Sequence, residues 1–164
     1  MTTRWLDDDE IAAWTGFIAV VELLPGALDA QLRRDSGLTH FEYFTLAMLS
    51  EAPGRTLRMT ALATRTNATL PRLSHVVSRL EKRGLVEREP CPDDRRATDV
   101  RLTAAGWDTI VGAAPGHVAT VRGLVVDALT GEQVRQLRDI SDALLQRLDP
   151  DGAMTAPYRR PVAD

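Results

Sequence analysis

A lone cysteine, Cys91, cannot close a disulfide within the chain, so disulfide-stapled secreted scaffolds are excluded and a cytoplasmic setting is expected. Histidine is nearly as sparse. His40, His75 and His117 show no HExxH spacing and have no cysteine pair to join, so no metal site is expected. No glycine-rich phosphate loop and no GxSxG elbow occurs, and nothing in the pattern favours an enzyme or a bound cofactor. No apolar run approaches the roughly 20 residues of a membrane span, and the acidic start lacks the charge pattern of a secretory leader. Neither a membrane partner nor export is expected. Internal repeats and low-complexity segments are absent. Lysine is almost missing, since 19 of the 20 basic residues are arginine. Arginine suits bidentate contacts to phosphate or guanine, although codon bias explains the preference more simply.

What is present is concentrated between residues 56 and 103, within 164 residues expected to form a single domain (1–164). From Thr69 to Arg83, Leu73, Val76, Val77 and Leu80 fall at i, i+3, i+4 and i+7, the apolar stripe of a helix. At about 100° per residue, Pro71, His75, Ser78 and Lys82 face the opposite way, flanked by Arg72, Ser74 and Arg79. Thr69 is placed to cap this helix, Pro71 needs no backbone donor in its first turn, and Gly84 suits its left-handed end. A shorter helix from about Arg58 to Arg65 precedes it. Leu85 to Glu89 and Thr98 to Leu102 alternate apolar and polar residues as half-buried strands do. The stretch from Pro90 to Arg96 reads as the tip of their hairpin. A helix-turn-helix followed by a hairpin is a winged helix, expected over 39–103. Charge supports a polyanionic partner. Residues 55–102 hold 11 Lys or Arg against 6 Asp or Glu, a local balance of +5 in a chain whose net charge is −3.

The flanks are helical. Asp7 to Glu10 crowd acid at a helix start, where the dipole favours it. That helix is expected from about Glu10 to Arg34, with a kink at Pro25. Thr39-His40-Phe41-Glu42 and Thr130-Gly131-Glu132-Gln133 are capping boxes opening two further helices. A long helix from Thr103 to about Ala128 lies between the hairpin and the second box. Val134, Leu137, Ile140, Leu144 and Leu148 form the stripe of the last helix, and residues 149–164 are expected to be a frayed, flexible tail. The predicted fold class is therefore mainly α with a small β-hairpin wing (α+β), a winged helix-turn-helix flanked by dimerisation helices at 8–36 and 104–148. Packed from two chains, those helices would bury an interface like a core cut in half.

Leu62-Ala63, the run from Arg72 that ends in LEKRGLVER, and Asp94-Arg95-Arg96 followed by VRLT at 100–103 resemble the MarR family of bacterial winged-helix regulators. The resemblance covers about residues 8–148. It implies a homodimer that binds palindromic double-stranded DNA, most often as a repressor, and releases it when a small aromatic or phenolic ligand binds. It also implies that Arg96 enters a minor groove and that Asp94 orients an arginine, while Arg95 meets a phosphate. On the recognition helix, Thr69, Leu70, Pro71, Arg72, Ser74, His75, Ser78 and Arg79 are the expected DNA-facing residues, supplying donors and apolar contacts to base edges. Arg58, Thr60 and Arg101 are expected at phosphates. The family's ligand pocket would be lined by Trp14, Phe17, His40, Phe44 and Trp107. Thiol-sensing members carry their reactive cysteine near the amino terminus, so Cys91 reads as an incidental loop residue. The alternative reading is a winged helix kept as a protein-docking module without specific DNA binding.

Overall fold

The computed structural model describes residues 2–154, apart from the side chain of Arg95. The chain runs α1 (Asp8–Ser36), α2 (His40–Ser50), a 3-10 turn (Pro53–Arg55), β1 (Thr56–Arg58), α3 (Met59–Arg65), α4 (Leu70–Lys82), β2 (Val86–Cys91), β3 (Asp94–Leu102), α5 (Ala104–Val121) with a π-helical extension (Arg122–Val126), and α6 (Gly131–Leu148). The expected caps form. Asp7, Thr39 and Thr130 each close a capping box, and Gly37 ends α1 at φ 65°. Helix α1 continues through Pro25 from Asp8 to Ser36.

The core lies where α2, α3, α4 and the sheet converge. Leu46, Met48, Leu49, Leu62, Leu73, Val77, Leu80 and Val100 are sealed from solvent within it. The stripe read from the sequence for α4 is the one buried: Leu73, Val76, Val77 and Leu80. The sheet has one strand more than expected. β1 pairs antiparallel with β3 through Thr56↔Arg101 and Arg58↔Asp99, giving the order β1-β3-β2. Three residues, only Leu57 of them apolar, carry too little alternation to be recognised as a strand without their partner. The hairpin is also longer than expected. β2 and β3 continue into the stretch read as a loop, leaving Pro92 and Asp93 as the turn, with a register irregularity at Pro90/Cys91. Cys91 is therefore a buried strand residue and not a loop residue.

Gly106 explains how α5 joins this sheet. A Cβ at this position would lie 2.1 Å from the Leu85 carbonyl oxygen and 2.6 Å from Leu102 Cδ1, so only glycine lets the helix start this close to β2. Thr103 secures the same junction, donating its hydroxyl to the Gly84 carbonyl at 2.7 Å.

The outer helices behave differently. The buried residues of α1 are Leu28, Gln31 and Leu32, all in its last third, and α6 has none. Trp14, Phe17, Val20, Leu23, Leu137 and Ile140 all stand exposed. One expectation is corrected here. Helix α1, and α5 with its extension, are each long and apolar enough to cross a membrane by length and composition alone. Between Ile11 and Leu28 only Glu22 carries a charge. Interspersed Gly, Thr and Pro obscured that run. The expected tail is also partly corrected, because residues 149–154 fold into a turn in which the Asp149 carboxylate accepts the Ala153 and Met154 N–H groups, each at 3.0 Å. Residues 155–164 lie outside the described residues.

Candidate nucleic-acid interface

Helix α4 presents Pro71, His75 and Lys82 to solvent, opposite its buried stripe. Its N-terminus is capped by Thr69, whose hydroxyl accepts the Arg72 N–H at 3.4 Å, and Leu70 is exposed beside it. The two flanks of this face are engaged differently. On one side, Arg72 lays its guanidinium over the Phe41 ring, 4.4 Å from the centroid. On the same side, Arg79 reaches Glu42 at 3.3 Å and Arg83 reaches it at 3.7 Å. Glu42 is itself buried, and its other task is to accept the Thr39 N–H at 2.8 Å in the capping box. One carboxylate thus starts α2 and anchors α4. The α1 carboxylate of Asp29 holds the next donor, the His40 N–H, at 2.8 Å. Asp29 titrates below the ordinary carboxylate range because Arg33 and the His40 N–H both bond to it.

On the other flank, Ser74 and Ser78 are half-buried and turn toward the wing. The Arg88 guanidinium donates to the Ser74 carbonyl at 2.7 Å and to the Ser78 hydroxyl at 2.8 Å. Both serines, expected to project freely outward, are therefore occupied within the fold. Arg88 was not singled out by the sequence. Its signal was its position two residues after the buried Val86, on the same face of β2.

The wing also departs from expectation in detail. Asp94 accepts the backbone N–H of Arg96 at 3.0 Å and so shapes the turn; among the described side chains no guanidinium bonds to it. Arg96 itself is exposed. The side chain of Arg95 lies outside the described residues. Arg101 is bound by Glu87 and by Glu89, the latter at 3.4 Å, across the sheet from which it was expected to reach a phosphate. Arg58 is exposed at the end of β1 and donates to the Cys91 sulfur at 3.0 Å. Thr60 is exposed on the first turn of α3.

A cleft of about 530 Å³ opens between α2 and α5, with His40, Tyr43, Phe44, Trp107, Ile110 and His117 in its wall. Of the expected pocket residues, His40, Phe44 and Trp107 are here, whereas Trp14 and Phe17 sit on the exposed face of α1. Their helix is apolar on most sides between Ile11 and Leu28, so the sequence could not separate a pocket wall from an outer face. Tyr43 stacks against His117 with ring centroids 4.4 Å apart, and Arg55 covers Trp107 at 3.6 Å. Burial pulls the His40 imidazole down from its ordinary value near 6.5, partly offset by Asp29, and burial followed by His40 pulls His117 down. Burial raises the Tyr43 phenol. His117 Nδ1 is buried with no hydrogen-bond partner among the described residues.

Comparison with known proteins agrees with this geometry. A sequence family described as "MarR family" matches residues 36–97. Sco3205, a MarR family transcriptional regulator of Streptomyces coelicolor solved in complex with DNA, is 44% identical, with a TM-score of 0.86 over 91% of this chain and 93% of that one. AbsC, another MarR family regulator of the same organism, is 40% identical, with a TM-score of 0.83 over 89% of this chain and 98% of that one. The transcriptional regulator HosA of Escherichia coli O111:H- is 35% identical over 48% of this chain. This chain spans about half the length of such curated relatives, 56% in the case of HosA.

Proposed function

The chain belongs to the MarR family of winged-helix, DNA-binding transcriptional regulators, not enzymes, and from that premise we propose that it acts in the cytoplasm as a homodimeric repressor of a palindromic operator. The observation that carries the reading is the outward face of α4. Pro71, His75 and Lys82 are exposed at its centre, and arginines lie on the flank beside them. In this reading α4 enters the major groove with His75 at base edges, and Arg96 on β3 reaches the neighbouring minor groove, where narrow width concentrates negative potential. Thr69, Leu70 and Arg72 meet the DNA at the N-terminal end of α4. Arg58, Thr60 and Arg95 serve the backbone.

The exposed stripes of α1 and α6 support dimerisation, since apolar surface of this extent needs a partner. A two-fold axis through them would set the two α4 helices at half-sites one helical turn apart, about 34–36 Å. The aromatic wall of the α2–α5 cleft and its unpartnered imidazole nitrogen support a small aromatic or phenolic ligand there. Helix α2 faces that cleft with His40, Tyr43 and Phe44 and holds α4 through Phe41 and Glu42. A ligand that shifts α2 would therefore shift the recognition helix.

Selection of binding sites from a random DNA pool tests this directly, with an enriched palindrome expected. Sedimentation should give about twice the 18.0 kDa chain mass. A monomer that enriches no sequence would leave the docking-module alternative in its place.

A further inference from the structure

We propose that Arg88 is a positioning residue that fixes the phase between the two DNA contacts of each half-site, so that operators are selected by spacing as well as by base sequence. Among the described residues β2 is an edge strand, paired with β3 alone. The hydrogen bonds from β2 to α4 among those residues all come from Arg88. Arg88 Nη2 donates its two N–H groups to the Ser74 carbonyl at 2.7 Å and the Ser78 hydroxyl at 2.8 Å, with the Ser74 hydroxyl at 3.4 Å sharing one of them. Its main-chain N–H, which the edge of the sheet would leave open, donates to Glu81 at 3.1 Å. Ser74, Ser78 and Glu81 stand at i, i+4 and i+7, so these bonds follow α4 for two turns.

The chemistry of the clamp matters as much as its number of bonds. A guanidinium is a planar fork with donors in fixed directions, so it sets an orientation where an ammonium would set only a distance. The acceptors lie on the recognition helix itself, and the donor lies within the wing. Beyond Arg88 the hairpin runs about three residues to its turn, roughly 10 Å, with the register irregularity at Pro90/Cys91 along the way. A rotation at Arg88 is therefore carried to Arg96, while Val86 and Leu102 keep the base of the hairpin in the core. The duplex sets the separation of its grooves, so a wing with a fixed angle to α4 tolerates one spacing.

The inference rests on the two-groove reading above, and the test separates them. The operator selected by the wild type is remade with one base pair inserted, in each half-site, between the regions protected by α4 and by the wing in a hydroxyl-radical footprint. Wild type should lose roughly tenfold in affinity, the scale of one mismatched base pair. Arg88→Gln and Ser78→Ala should lose less than about threefold on the same insertion, and a pool selection with either should return both spacings. Ser78→Ala removes one hydroxyl only, so it remains readable should Arg88→Gln unfold. Arg88→Lys should behave like the glutamine variant. A spacing penalty in Ser78→Ala and Arg88→Lys equal to that of wild type overturns the clamp and leaves the two-groove reading intact. A wild type indifferent to spacing, or one with no wing footprint, overturns both.

Discussion

At the scale of single residues, the interface separates side chains that are free to meet DNA from those already engaged in the fold. His75 is exposed at the centre of the α4 face and is free of the ion pairs and braces that engage Arg79, Ser74 and Ser78. Replacing it with alanine should cost about 1–3 kcal/mol on the selected operator and relax preference at one symmetric pair of positions. Binding-site selection reads this out, and an unchanged preference at every position would assign the face wrongly. Gly106 is the contrasting case, a residue with no side chain and no freedom to gain one. In Gly106→Ala the new methyl meets the Leu85 carbonyl, a backbone atom that cannot rotate away. A loss of stability on the order of 3 kcal/mol is expected, at the upper end for overpacking, and urea denaturation measures it. Gly112, with open space around it, should cost far less as alanine.

Among the elements, α2 stands between the cleft and the recognition helix, and Glu42 is the residue through which it holds α4. Glu42→Gln separates its two tasks, because glutamine still completes a capping box but pairs with neither Arg79 nor Arg83. Both arginines are about half exposed, so the ion pairs are screened, and a loss of about 1 kcal/mol is the expected scale. That loss should shrink in high salt, measured by urea denaturation at two ionic strengths. DNA affinity should fall further than stability does, because the variant frees the orientation of α4. A salt-independent loss would mean that burial of the new amide, not the missing charge, dominates.

For the whole molecule, the cleft sets a pH dependence. His40 faces Asp29 from α1 and His117 from α5, and His117 faces Tyr43 as well as His40. Both imidazoles have folded-state values below the ordinary one near 6.5, so below that pH the unfolded chain binds protons that the folded chain refuses. Stability should therefore decline as pH falls from about 6.5 toward the folded-state values, and should be flat above the ordinary value. His117→Phe should remove part of the slope. Asp29 acts in a separate, more acidic window, because its folded-state value is lowered and its contribution is lost only on acidification below the ordinary carboxylate value of 3.8. Thermal melts between pH 5 and 8 check the histidine window, and a stability that rises on acidification would contradict it.

The sequence by itself determined the elements whose signal is local. A helix stripe repeats within four residues, a capping box closes over three, and Gly37 and Gly84 mark their own left-handed ends. For this reason α2, α4 and α6, with their starts, were legible, as was the hairpin of the wing. The exposed face of α4 followed too, because it lies opposite a stripe that must be buried. What only the tertiary structure decided depends on partners distant in sequence. β1 is a strand because β3 lies beside it, and Ser74 and Ser78 turn inward because Arg88 arrives from β2. Arg101 is occupied because Glu87 and Glu89 stand across the sheet from it. Trp14 and Trp107 look alike along the chain, yet one stands on an open helix face and the other lines a cleft. Periodicity determines which side of an element is apolar, but only packing decides what that side, and each polar group at its margin, will meet.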